Sequence, residues 1–202
     1  MIVAGLTGSI AMGKSTVAAM FAASGAPVFD ADAAVRVLYA GEGARRIEAV
    51  FPGVVADGAV DRDRLSRIVL NDPDALARLE ALVHPAVDAM RRTFLEEARR
   101  AGRRIAILDV PLLFESGGEA AVDCVVVASA PQAAQRARAL GRPGMSEEKL
   151  DAILSRQMSD ERKRARAHFV IDTGASLEST RAQVAQFLRA AAGLEGRRTA
   201  HA

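Results

Sequence analysis

The sequence predicts an α/β protein: a three-layer arrangement in which a parallel sheet is flanked by helices. Three observations carry this. Short apolar runs alternate with helix-like segments, the pattern of βαβ units. The first run leads straight into a Gly-rich turn and then an Ala-rich stretch. The chain has 202 residues, half of them hydrophobic, which suits one domain with a sizeable core.

Strands are expected at residues 2–6, 26–29, 105–108, 124–128 and 169–171. The most helical segments are 14–24, 73–101, 131–140, 146–167 and 176–192. In the last, Leu177, Val184, Phe187, Leu188 and Ala191 share one face, as core packing requires. Residues 31–104 carry no clear strand, and Phe51-Pro52-Gly53 and Asn71-Asp72-Pro73 break their helical pattern. So long an insertion between strands predicts a helical subdomain. Gly141, Arg142, Pro143 and Gly144 interrupt two helices, as a mobile flap or a plain turn would. Residues 199–202 read as a frayed end.

Composition excludes several classes. The net charge is +2, with no basic stripe of the kind nucleic acid requires, and aromatics make up only 4% of residues. Nor does any apolar run approach the ~18 residues of a membrane span. Residues 2–6 read as a strand and not as a leader. Cys124 lies in an apolar run and reads as core, and a lone cysteine suits a reducing cytoplasm.

Residues 8–15, Gly-Ser-Ile-Ala-Met-Gly-Lys-Ser, fit G-x-x-x-x-G-K-[ST]. The glycines let backbone N–H groups face the phosphates of a nucleoside triphosphate, and the helix that follows aims its positive end at them. Lys14 would reach the β- and γ-phosphates, and the Ser15 hydroxyl would bind Mg²⁺. A Gly-rich strand-to-helix turn without a ligand is the plain alternative.

Carboxylates stand at two other strand ends. Ligands of open α/β sheets bind there, so Asp30 and Asp32 can both face the phosphates. One can accept a proton from a substrate hydroxyl during phosphoryl transfer, while the other can cap the next helix. Capping suits Asp30 better than Asp32. Asp109 closes an apolar strand, the usual partner of a phosphate loop, holding Mg²⁺ directly or through water. Arg136, Arg138 and Arg142 flank the flap, where guanidinium forks can neutralise phosphate charge or simply line a solvated face. His84 precedes Pro85, and its chemistry alone also fits a structural role.

These residues resemble the dephospho-coenzyme A kinases. Gly5-Leu6-Thr7-Gly8, the loop through Thr16, Asp30-Ala31-Asp32, Leu82-Val83-His84-Pro85 and Asp109-Val110-Pro111-Leu112-Leu113-Phe114-Glu115 occur in that family's order. Gln157, Lys163 and Val170-Ile171-Asp172 complete a resemblance covering about residues 2–190. It implies a single P-loop kinase domain over 1–202. The core would comprise about 1–30, 105–135 and 168–192, with a helical CoA-binding insertion at about 31–104 and a lid at about 136–166. It implies transfer of the ATP γ-phosphoryl to the ribose 3′-hydroxyl of dephospho-CoA in the cytoplasm, with Mg²⁺ and without an obligate protein partner. Asp32, Lys14 and Arg142 would be catalytic. Gly8, Ala11, Met12, Gly13, Lys14, Ser15, Thr16, Arg138 and Arg142 would bind ATP. Asp32, His84, Leu112, Phe114 and Glu115 would bind the acceptor, and Ser15 and Asp109 the metal. Ser9 and Ala11 stand where the family usually has glycine. Thr173-Gly174 stands where it often has Asn-Gly near the adenine. A nucleoside monophosphate kinase is the nearest rival, which Pro-Leu-Leu-Phe-Glu at 111–115 argues against. A GTPase switch would carry Asn-Lys-x-Asp, which does not occur.

Overall fold

The computed structural model describes residues 1–70 and 72–193. Asn71, expected in a helix break, and the frayed end expected at 199–202 lie outside them. In chain order the elements are β1 (Ile2–Thr7), α1 (Lys14–Ala23), β2 (Val28–Asp30), α2 (Ala31–Leu38), α3 (Glu42–Val50), β3 (Val55–Ala56), β4 (Ala59–Val60), α4 (Arg62–Val69) and α5 (Pro73–Arg100). There follow β5 (Ile105–Asp109), β6 (Cys124–Ser129), α6 (Gln132–Leu140), α7 (Glu147–Leu154), α8 (Asp160–Arg166), β7 (Phe169–Asp172) and α9 (Leu177–Ala192).

The chain divides into two compact units, one of Met1–Phe29 with the residues from Ala98 onward, the other of Asp30–Glu97. In the first, the sheet order is β2-β5-β1-β6-β7. β1 pairs in parallel with β5 and β6, and β6 with β7. β1 and β6 are buried along their whole length, which is why both read as unbroken apolar runs and not as alternating ones. Leu6, Val126 and Ile171 of the sheet share a core with Val17 and Phe21 of α1 and Val184 and Phe187 of α9. The Phe21 and Phe187 rings meet edge to face at 5.6 Å. With β1 central, the β1–α1 turn opens at the carboxyl end of the sheet, where such folds bind ligands.

The second unit has its own core. Ile47, Phe51, Val54, Leu65, Val69 and Leu79 pack together. Its insertion is not wholly helical: β3 and β4 form a small antiparallel hairpin. The turn is Asp57-Gly58, both with positive φ (51° and 78°), as a two-residue primed turn requires. Two-residue strands are too short to show an alternating pattern, but Asp-Gly was the legible signal. The helix expected over 146–167 is two helices. Ser159 caps α8 by accepting from the Arg162 amide, and residues 155–159 leave helical geometry. By contrast, α5 continues through Pro85.

Cys124 is buried, as its apolar run predicts. Burial and the neighbouring Asp123 charge push its thiol up to about 11. A thiol reagent at about pH 8 should therefore spare native protein and modify Cys124 only after denaturation. Stoichiometric labelling of the folded chain within minutes would contradict this burial.

Candidate active site

The loop between β1 and α1 is built to hold its shape. Gly13 caps α1 in a left-handed conformation (φ 79°), and a Cβ there would lie 2.9 Å from Thr173 Oγ1. A Cβ on Gly8 would meet the Ala128 carbonyl oxygen at 2.7 Å. Both glycines thus have a steric as well as a conformational reason. Ala11 also takes positive φ (61°), a conformation that favours glycine. That costs an L-residue roughly 1–2 kcal/mol. Its methyl is buried in a cluster with Ala139 and Leu150, joined by Ile10, Leu140 and Leu154, and this packing offsets the strain.

Hydrogen bonds fix the rest of the loop. The Ile10 amide donates to Gln157 Oε1 at 3.0 Å, and Gln135 Nε2 donates to the Ile10 carbonyl at 2.9 Å. The Met12 amide donates to the Ser9 carbonyl at 3.2 Å, and Thr173 Oγ1 donates to the Met12 carbonyl at 2.8 Å. The Ile10 amide is therefore spent on Gln157, and the anion-binding donors are left to the far side of the loop and the first turn of α1. That turn carries no acidic residue and exposes Ser15 and Thr16. First-turn amides have no intrahelical acceptor, so the turn is a ready anion site.

At the end of β5 lies Asp109, buried, with Lys14 Nζ 2.5 Å from its Oδ1. The pair places an ammonium and a carboxylate together where β5 ends and α1 begins. Ser15 and Asp109 offer hard oxygen donors, as Mg²⁺ prefers. Among the described residues no group of three or more His, Cys, Asp or Glu side chains gathers around a point. A cation here would rely on one or two protein oxygens, with phosphates and water completing the shell, which is the Mg²⁺ habit. These residues fit that ion.

Around the flap, Arg138 donates to Thr173 Oγ1 (3.2 Å) and to the Thr173 carbonyl (2.7 Å). Arg136 pairs with Glu147 and, at 2.9 Å, with Asp151, so it braces α6 against α7. Arg142 is exposed just before Pro143 and makes no ion pair or side-chain hydrogen bond among the described residues.

After β5 the chain presents Leu112, which is 45% exposed, while Leu113 and Phe114 turn inward at 2% and 6%. The exposed apolar surface here is thus Leu112 alone, and Arg166 covers the Phe114 ring at 4.7 Å. Glu115 Oε1 accepts from the Met158 amide at 2.8 Å and lies 2.9 Å from the buried Lys163 ammonium. Burial by itself pushes the Glu115 pKa up, but the bonds from Lys163 and Met158 outweigh it and hold the group below the usual carboxylate range.

In the helical unit, Asp30 is the cap. Its Oδ1 accepts from the Ala33 amide at 2.8 Å, and Arg36 lies 3.4 Å from Oδ2. Asp32 is exposed in the first turn of α2, with no side-chain partner among the described residues. It lines a recess of about 430 Å³ with Arg36, Tyr39, Arg62 and Leu65. His84 is exposed on α5 directly before Pro85.

A family model described as dephospho-CoA kinase matches residues 1–179. The chain belongs to the dephospho-CoA kinase family. Among relatives so named, one from Mesorhizobium japonicum is 58% identical over 184 residues, 91% of this chain and 93% of the relative. Another, from Rhodopseudomonas palustris, is 52% identical over 198 residues, 98% of this chain and all of the relative. A crystal structure from Thermus thermophilus aligns with a TM-score of 0.79 at 39% identity, covering 93% of this chain and 97% of that one. A dephospho-CoA kinase structure from Campylobacter jejuni shares the fold, with a TM-score of 0.65 over 94% and 96% of the two chains.

Within this family fold, the residues that sequence reasoning nominated from 8–16, Asp109 and Arg138 belong to the first unit, as do Leu112, Phe114, Glu115 and Arg142. Asp32 and His84 belong to the second. Gln135 was missed as part of the loop's support. Its one signal is its place one turn before Ala139, on the same helix face; Gln135 is 4% exposed and Ala139 is fully buried.

Proposed function

We propose that the chain transfers the γ-phosphoryl of ATP to the ribose 3′-hydroxyl of dephospho-CoA, giving CoA and ADP. The observation that carries this is the phosphate loop, held in shape by Gln135, Gln157 and Thr173, with Lys14 on Asp109 at its mouth. In this reading the amides of residues 11 and 13–16 hold the β-phosphate. Lys14 exchanges part of its bond with Asp109 for phosphate oxygens. Arg138 and Arg142 offset the charge that spreads over the transferring group, and residues 136–166 close over ATP as a lid. Ser15 and Asp109 would hold Mg²⁺, directly or through water, and the ion neutralises phosphate charge when bound.

On the acceptor side, Asp32 orients the 3′-hydroxyl and takes its proton as the oxygen attacks. Its lack of a competing partner supports that role over Asp30, whose carboxylate is occupied as a cap. The helical insertion at about 31–104 provides the surface for the extended acceptor. The recess beside Asp32 combines Arg36 and Arg62, suited to the acceptor's diphosphate, with apolar Leu65, suited to its pantetheine arm. Leu112 offers exposed apolar surface, and Phe114, Glu115 and His84 shape the acceptor region. The reading places the reaction in the cytoplasm. Among the described residues no helix is long and apolar enough to cross a membrane.

Remote binding energy from the pantetheine arm should be used to align the hydroxyl, so truncated acceptors should lose kcat as well as affinity. Steady-state kcat/KM for dephospho-CoA, adenosine and AMP under one Mg²⁺–ATP condition tests this. Dephospho-CoA should be preferred by at least ~10²-fold. A preference for AMP would overturn the acceptor assignment.

A further inference from the structure

Thr173 stands at the end of β7, only 7% exposed, and joins three parts of the nucleotide side. Its amide donates to the Ser129 carbonyl at the end of β6 (2.8 Å). Its hydroxyl donates to the Met12 carbonyl of the phosphate loop (2.8 Å) and accepts from Arg138 (3.2 Å), while its carbonyl accepts from Arg138 at 2.7 Å. The residue also sits against Gly13, where a Cβ would come within 2.9–3.1 Å of its Oγ1, Cβ and Cγ2. A hydroxyl has one hydrogen and two lone pairs. The Ser129 carbonyl is also within reach at 3.3 Å, but the shorter contact is to the Met12 carbonyl, so the hydrogen goes mainly to the loop and a lone pair to the guanidinium, inside a packed pocket.

We infer that Thr173 is a positioning residue: it fixes the Met12–Gly13 backbone and aims Arg138, so that both meet the triphosphate in one geometry. The hydroxyl is turned to the loop and spent there, and it reads no base. Thr173 therefore sets affinity for the triphosphate and leaves the choice among bases unchanged. This rests on the assignment of residues 8–16 and Arg138 to the nucleotide.

Thr173→Val keeps shape and removes the hydroxyl, leaving the buried Met12 carbonyl without its donor. Binding of non-hydrolysable ATP and GTP analogues with Mg²⁺, measured by calorimetry, should weaken by roughly 10-fold for both. The KM for dephospho-CoA at saturating ATP should stay within about 2-fold, because the lost bonds lie on the nucleotide side. Thr173→Ser, which restores the hydroxyl, should bind within about 3-fold of the parent. If Thr173→Val does not fold by circular dichroism, Thr173→Ala against Thr173→Ser gives the same comparison. Unchanged nucleotide affinity in Thr173→Val overturns the inference. So does a Thr173→Ser variant as weak as Thr173→Val, which would assign the effect to the methyl, or unequal losses for the two analogues, which would indicate base contact. Lys14→Ala runs alongside as a control; normal analogue binding there would overturn the underlying nucleotide assignment and the inference with it.

Discussion

Lys14→Ala is expected to reduce phosphoryl transfer by at least ~10²-fold, because it removes a preorganised counter-charge from the γ-phosphate. The structure adds a second consequence that the motif alone does not. Lys14 Nζ lies 2.5 Å from Asp109, a buried carboxylate, and its own side chain is only 16% exposed. Deleting one partner of a buried pair costs about 3–5 kcal/mol. The residual exposure of Lys14 puts this case at or below the low end of that range. The variant should therefore fold but melt earlier, and the rate must be read on the folded fraction. Stopped-flow or single-turnover transfer, normalised to folded protein, provides the check. Near-normal turnover in the folded variant would remove the phosphate loop from the mechanism.

Asp32→Asn should lower kcat by ~10²–10⁴-fold, the usual contribution of a positioned proton acceptor, with ATP affinity nearly unchanged. The side chain keeps its shape but cannot take the acceptor's proton. Asp30→Asn supplies the contrast. Asp30 caps α2 through the Ala33 amide, and asparagine caps helices about as well, so that change should be close to neutral. If Asp30→Asn abolishes transfer and Asp32→Asn is mild, the two roles are reversed.

Much of this site was legible because its chemistry is local in sequence. The phosphate loop needs glycines, a lysine and a hydroxyl at fixed spacing, and the strand before it and helix after it follow from apolar pattern. The Asp30–Asp32 ambiguity was also visible, but its resolution was not. Which carboxylate caps a helix depends on where the helix starts, and α2 starts at Ala31. What the sequence hid is mostly long-range. Gln135 and Gln157 are separated from Ile10 by 125 and 147 positions. The Arg138–Thr173 contact spans 35. Local periodicity can place Gln135 on an inward helix face, but it does not show that the side chain braces a loop so far away in sequence. The resemblance assigned Phe114 to acceptor binding, which says nothing of its being 6% exposed. Arg166 reaches over its ring from α8, a contact 52 positions away that local pattern does not reveal. The break at 155–159 was hidden because Ser155, Arg156 and Gln157 do not stop a helix by themselves. Capping by Ser159 and the bond of Gln157 to the phosphate loop fix the chain there instead.

The central claim concerns where the phosphate goes. Phosphorus NMR of the product formed from ATP, Mg²⁺ and dephospho-CoA tests it most directly. The account predicts ADP together with a new phosphomonoester on the ribose 3′ oxygen, scalar-coupled to the 3′ proton, with the acceptor's own diphosphate unchanged. A new diphosphate linkage, or a phosphomonoester at any other oxygen, would contradict it.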